Sequence, residues 1–202
     1  MSVVRHHSGA DGLDSGDPTD YERTLPSIEA FQVSCVRLQF EVLDLGGGKR
    51  LAEVATGAGA EGVAVTPDGR QVWVTTRAED TVTVLDATTL ETLAELEAGA
   101  FPIRAEATAD GRYVLVTNAK GNDLSAFSTE SLKEVRRVAF AARSKGDTGR
   151  LFRDRFGDSS VPIGIEILPD SSTAYVAHAN ADDISVVDLE TWTVSGTLSA
   201  GK

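Results

Sequence analysis

Hydrophobic and polar residues alternate with a period of two over much of this chain, and turn residues break the alternation at regular places. Gly62 to Thr66 is an apolar stretch that stops at Pro67-Asp68-Gly69, a turn signal. Gln71 to Arg77 alternates around Val72 and Val74. Thr81-Val82-Thr83-Val84-Leu85 is alternating and β-branched, as a half-buried strand should be. Glu91 to Glu97 alternates less cleanly around Leu93 and Leu96. Four short strands are expected between residues 61 and 100.

The pattern then recurs. Pro67-Asp68-Gly69 returns 42 residues later as Ala109-Asp110-Gly111, and 60 residues further on as Pro169-Asp170-Ser171. The same shifts align Trp73-Val74-Thr75-Thr76 with Leu115-Val116-Thr117-Asn118 and Tyr175-Val176-Ala177-His178. They also align Val84-Leu85-Asp86 with Ala126-Phe127-Ser128 and Val186-Val187-Asp188; one shift back from Asp86 lies Asp44. The unit is therefore 42 residues, with 18 extra in one interval. Four strands per unit of this length, punctuated by turns, is the pattern of a β-propeller blade. One such sheet cannot cover both its faces, so blades must stack on their neighbours. The expected fold is all-β: four-stranded antiparallel sheets forming an incomplete, open arc of about 3.5 propeller blades. Their approximate limits are 31–60, 61–100, 101–160 (with an insertion at 143–160) and 161–202.

Leu115-Val116-Thr117-Asn118, with Asp110-Gly111-Arg112-Tyr113 before it and strands of the Val84-Leu85-Asp86 type after it, resembles the YVTN β-propeller repeat. The resemblance covers roughly residues 40–202. It implies a propeller normally of seven blades. It also implies relatives among secreted or periplasmic surface proteins, near the cytochrome d1-type and lactonase-type propellers. Thr76 and His178 depart from the motif asparagine, and Ser128 from its aspartate. Seven units would need about 290 residues, so missing blades or an oligomeric partner are expected to close the ring. Phe31-Gln32-Val33 falls where a second strand belongs, with no Asp-Gly turn before it, so the innermost strand of the first blade is expected to be absent.

Residues 1–30 are Gly-, Ser- and Pro-rich. Their acids Asp11, Asp14, Asp17, Asp20, Glu22 and Glu29 face only Arg5 and Arg23, so they read as a disordered acidic tail. The start lacks the apolar stretch of a secretory signal, and no apolar run is long enough to span a membrane. The formal charge of −12 disfavours nucleic acid as a partner. The single cysteine, Cys35, excludes an intrachain disulfide and reads as an inert thiol.

Candidate chemistry gathers at two places. The insertion carries Arg143, Lys145, Arg150, Arg153 and Arg155 against Asp147, Asp154 and Asp158, a local +2. Phe152 and Phe156, four apart, suit a short amphipathic turn. It reads either as a lid offering cations to an anionic ligand or acidic partner, or as a loop whose phenylalanines pack on the blade and whose arginines pair with the acidic hairpins Glu79-Asp80, Asn122-Asp123 and Asp182-Asp183. The second place is the central channel. There Gly62, Arg104 and Gly164 are equivalent, as are Ala64, Glu106 and Glu166. Glu106 and Glu166 could act as paired carboxylates, or Arg104 could neutralise Glu106 in a wet channel.

Weaker signals remain. His178 is a metal or haem ligand only if a second ligand joins it, and otherwise structural. His6-His7 reads as inert. Gly46-Gly47-Gly48-Lys49 lacks the phosphate-loop pattern and reads as a hairpin turn. Trp73 and Trp192 sit at strand positions suited to packing. No nucleophile elbow is present. The reading that follows is a non-enzymatic propeller repeat protein presenting a ligand- or protein-binding face on the insertion side, without a resident cofactor. Its rivals are a propeller enzyme or redox protein with a site at the channel mouth, using Glu106, Glu166 and His178, and a fragment without activity of its own.

Overall fold

The computed structural model describes residues 3–4, 30–34, 39–44, 49–142 and 153–200. Sixteen strands and one helical turn occupy these residues. The first sheet is β1 (Val3–Val4), β2 (Ala30–Ser34), β3 (Gln39–Asp44) and β4 (Lys49–Ala55). The second is β5 (Ala60–Val65), β6 (Gln71–Thr76), β7 (Thr81–Asp86) and β8 (Thr92–Glu97). The third is β9 (Pro102–Ala107), β10 (Tyr113–Asn118), β11 (Asp123–Ser128) and β12 (Lys133–Ala139). The fourth is β13 (Pro162–Ile167), β14 (Thr173–His178), β15 (Asp183–Asp188) and β16 (Thr193–Ser199). Each sheet is antiparallel and keeps its strands in chain order, the up-and-down connectivity of a propeller blade. The helical turn α1 (Arg153–Phe156) lies in the insertion.

The first sheet corrects one expectation. Its innermost strand is not missing: Val3 pairs with Gln32 and Val4 with Phe31. The strand comes from inside the segment read as a tail, where two adjacent β-branched residues suit an extended pairing. Arg150, Phe152, Cys35, His6, His7 and Gly46 to Gly48 lie outside the described residues.

Alternation explains the stacking. Within β6, Val72 and Val74 face the first sheet, in a cluster with Val42, Val63 and Leu85. Trp73, between them, faces the third sheet and packs with Val82, Val84, Val114, Val116 and Phe127. The third and fourth sheets share Leu115, Leu124, Ala126, Val138, Val176 and Val187. Burying both faces of each inner sheet is what a lone sheet could not do, and it is the main stabilising term.

Four backbone positions per unit adopt left-handed φ, in register. They are Gly59, Phe101 and Val161; Gly69, Gly111 and Ser171; Asp80, Asn122 and Asp182; and Leu90, Leu132 and Trp192. These are the crossover and three hairpins of a blade, so the repeat is set by turn geometry as much as by apolar pattern. The Asp-Gly hairpin is closed by an aspartate that accepts from a threonine hydroxyl and a backbone N–H: Thr66 and Arg70 on Asp68, Thr108 and Arg112 on Asp110. The last hairpin uses Asp86 to accept the Thr88 and Thr89 N–H groups at 2.8 Å, and Asp188 does the same for Glu190 and Thr191. Accepting these bonds holds the Asp86 and Asp188 carboxyls below the usual carboxylate range.

The motif threonine fastens neighbouring blades. Thr75 Oγ1 accepts the Gly62 N–H at 2.7 Å and donates to the Ile103 carbonyl of the next sheet at 3.2 Å. β5 approaches β9 so closely that a Cβ on Gly62 would stand 2.3 Å from the Ile103 oxygen, which only glycine permits.

Candidate functional site

The innermost strands β5, β9 and β13 lie side by side along the channel, and two acids project from adjacent ones. Glu106 Oε1 accepts the backbone N–H of Ile167 at 3.1 Å, tying β9 to β13. Burial, opposed by that hydrogen bond and reinforced by the nearby Glu166 charge, pushes the Glu106 carboxyl up to about 7. Glu166 itself is exposed. The Glu166 charge acts on Glu106 from the adjacent innermost strand. Among the described residues Arg104 forms no ion pair, and its backbone N–H donates to Thr117 Oγ1 at 3.2 Å. The reason is that Glu106 reaches sideways to the next strand instead of along its own.

His178 is not part of this group. Glu166 stands opposite Tyr175, whereas His178 ends β14 opposite Pro162; three residues of strand separate them by roughly 10 Å. Both ring nitrogens of His178 are occupied, Nδ1 with Ser160 Oγ at 2.7 Å and Nε2 with Ser185 Oγ at 2.8 Å, and its ring stands edge-on to Phe140. Burial holds its pKa below the ordinary histidine value, with Asp183 opposing. The ring therefore has no free nitrogen for a metal or haem. Asn118, its counterpart in the third sheet, donates to Asp123 Oδ1 at 2.6 Å and Ser125 Oγ at 2.9 Å. His178 thus fills the motif-asparagine position, bonding the serine one blade on in the repeat. Among the described residues no three His, Cys, Asp or Glu side chains converge as a metal site.

At the insertion edge, α1 docks through Phe156, which is buried with Ile103, Ala119 and Val161. Phe101 meets the Phe156 ring edge-on at 5.2 Å between centroids. The Arg155 guanidinium lies 4.8 Å from the Phe101 centroid, and Arg77 lies 5.5 Å from it. Arg77 is already paired with Glu61 at 2.7 Å, whereas Arg155 is exposed and makes no ion pair among the described residues. Arg153 opens α1. Among the described residues no ion pair joins Arg155 to the acidic hairpins; Arg143, Lys145, Arg150 and the Arg153 side chain lie outside them. Asp80 accepts the Phe101 N–H at 2.7 Å, Glu79 accepts the Ala58 N–H at 2.9 Å, and Asn122 Oδ1 accepts from the Ser160 backbone and hydroxyl. These hairpins hold the crossovers to the next blade. Phe101 escaped the sequence reading, and its signal was an aromatic at the position of Gly59.

Sixteen strands in four up-and-down sheets have relatives of known structure. A structure titled Kuenenia stuttgartiensis hydrazine synthase matches with a TM-score of 0.71 at 19% identity, over 91% of this chain and 52% of that one. A structure titled dihydro-heme d1 dehydrogenase NirN in complex with DHE matches with a TM-score of 0.64 at 20% identity, over 91% of this chain and 37% of that one. The chain thus spans about half of the first and little more than a third of the second, and at these identities the likeness is one of fold. No curated protein matches. A family model described as YNCE-like beta-propeller matches residues 35–150, more than half of the sequence and the stretch that carries the best-kept repeats; the chain belongs to the YNCE-like β-propeller family.

Proposed function

We propose that the chain is a non-catalytic binding module that presents a ligand- or protein-binding face at the edge where the insertion joins the blades. Phe101 carries this reading. It holds a left-handed φ of 61°, where the preceding unit uses Gly59 at 76°. That conformation costs a bulky residue about 1–3 kcal/mol. Val161 keeps the same left-handed φ in the next unit, so the conformation belongs to the crossover of the repeat, and the aromatic at this edge is what sets Phe101 apart. What it adds is an aromatic platform beneath the Arg155 guanidinium, buttressed by Phe156. A guanidinium stacked on a ring keeps its N–H edge free to fork a carboxylate or phosphate. The partner this suits is an acidic one, with Arg150 and Arg153 of the insertion adding charge. The test is a polarisation titration of a labelled decaglutamate peptide at low salt. Arg155→Glu should weaken binding at least tenfold, while Arg70→Glu in a hairpin on the opposite edge leaves it unchanged. Equal binding by both variants refutes the reading.

A second reading rests on Glu106, whose carboxyl near 7 beside Glu166 suits proton transfer in the channel of a propeller enzyme or redox protein. The two structural neighbours are, by their titles, a synthase and a dehydrogenase, but their likeness supports the fold and not this chemistry. An optical band or a metal in the purified protein, together with an activity abolished by Glu106→Gln, would favour it.

A further inference from the structure

The third and fourth sheets differ at one edge in a way the repeat makes readable. In the third sheet, Arg137 pairs with Glu134 at 2.8 Å and with Asp123 at 3.6 Å. It thereby fills the space beside the buried Asn118–Ser125 pair. Register carries these residues onto the fourth sheet one by one: Ser125 opposite Arg137 becomes Ser185 opposite Thr197, and Phe127 opposite Glu134 becomes Val187 opposite Val194. Asp123 becomes Asp183, still an acid. The arginine and its glutamate partner are gone while the second carboxylate stays.

The crossover changes as well. Gly99 runs so close to the Asn118–Asp123 pair that an added Cβ would stand 2.5 Å from Asn118 and 2.7 Å from Asp123. Its counterpart is Ala141, which cannot approach in that way and is exposed. The two changes open a cleft of about 430 Å³ between the blades. Asp183, His178, Ser160, Ser185 and Thr197 supply its polar wall, and Phe140 and Val194 lie on its apolar side. His178, Ser160 and Ser185 satisfy one another. The Asp183 carboxylate accepts no hydrogen bond and meets no cation among the described residues, leaving one negative charge facing a half-apolar hole.

We propose that this cleft binds a guanidinium cation, which takes from outside the place that Arg137 occupies in the preceding blade. A planar cation on a short apolar stem fits the contrast of one carboxylate with an apolar wall. This site is separate from the anion-seeking platform at Phe101 and does not depend on it. The cation could be a small guanidinium compound or an arginine side chain of a partner, and the probes distinguish these.

The experiment titrates methylguanidinium, the uncharged isostere methylurea, and a blocked arginine (N-acetylarginine amide) into the full chain. It follows the NMR signals of the His178 ring and the Asp183, Ser185 and Thr197 amides. Methylguanidinium should shift these signals saturably and methylurea should not. Blocked arginine binding as well as methylguanidinium identifies a partner side chain, and its exclusion identifies a small ligand. Asp183→Asn should weaken binding at least tenfold. Thr197→Arg, which restores the arginine of the repeat, should abolish it while leaving the fold at least as stable. Equal binding of methylurea, or binding unchanged in both variants, overturns the proposal.

Discussion

Replacing Glu106 by glutamine tests whether the channel carboxylate is held against its preference for charge. Its pKa rises from 4.5 in the free group to about 7 in the folded protein, chiefly through burial. A raised acid pKa means that the folded state holds the proton more tightly than the unfolded chain. The Glu106 contribution to native stability is therefore greatest below pH 4.5, is lost as pH climbs from there to about 7, and is not regained above. At full burial this rise would correspond to about 3 kcal/mol. The side chain is partly open to the channel, so screening reduces the figure to about 1–2 kcal/mol. Glutamine keeps an oxygen for the Ile167 N–H and removes the ionisation. Urea unfolding of both proteins at pH 4.5, 6 and 8 gives the comparison. The expected result is near-equal stability at pH 4.5 and a glutamine variant more stable by about 1–2 kcal/mol at pH 8. Titrating groups that do not interact with Glu106 cancel in the difference. Parallel stability curves, offset by a constant or not at all, would show that Glu106 ionises freely and that the burial argument is wrong.

Three further outcomes are expected. Trp73 is fully buried between the second and third sheets and contacts Phe127, so Trp73→Ala should cost about 3–5 kcal/mol in denaturant unfolding. Ser128 stands where Asp86 and Asp188 each accept two N–H groups, and it accepts only the Ser131 N–H, at 3.2 Å. Ser128→Asp should therefore stabilise by about 0.5–1 kcal/mol, seen as a raised melting temperature. His178 has a folded pKa below its free value of 6.5, so its contribution is complete above that pH and is lost as pH falls through the folded value. His178→Asn, which restores the motif residue, should remove that acid-dependent loss below pH 6.5 while leaving the neutral-pH fold intact by circular dichroism.

The parts of this fold that were legible are those that local chemistry dictates. Asp68, Asp110 and Asp170 close the same hairpin because each accepts the backbone N–H two residues on, and such a bond is visible in a four-residue window. The unbroken apolar run Val72-Trp73-Val74 announces a strand buried on both faces. What was illegible depends on residues far apart in the chain. Val3–Val4 is too short to carry a pattern, and its partner lies at Phe31–Gln32. Glu106 owes its environment to a backbone N–H 61 residues later. His178 looked like a lone ligand because its two hydroxyl partners, Ser160 and Ser185, flank it from other segments.

Register makes departures from the repeat more informative than the repeat itself. At positions that only hold a blade together, units exchange residues of similar bonding capacity. Thr75 and Thr117 each take an inner-strand N–H, and Asn118 and His178 each bond the serine of the next strand. At the edge between the third and fourth sheets the exchanges are of another kind. Gly99 becomes Ala141, Glu134 becomes Val194, Arg137 becomes Thr197, and 18 residues enter the crossover. A unit drifting without constraint would lose its acid along with the arginine, because an unpaired carboxylate beside a buried imidazole brings little to packing. Asp183 persists while the groups that neutralised its counterpart do not, and the Arg155 guanidinium lies exposed over the Phe101 ring. Among the described residues this edge of the arc carries an acid and an arginine without ion-pair partners, and charge left open on a rigid frame is what recognition requires of a surface.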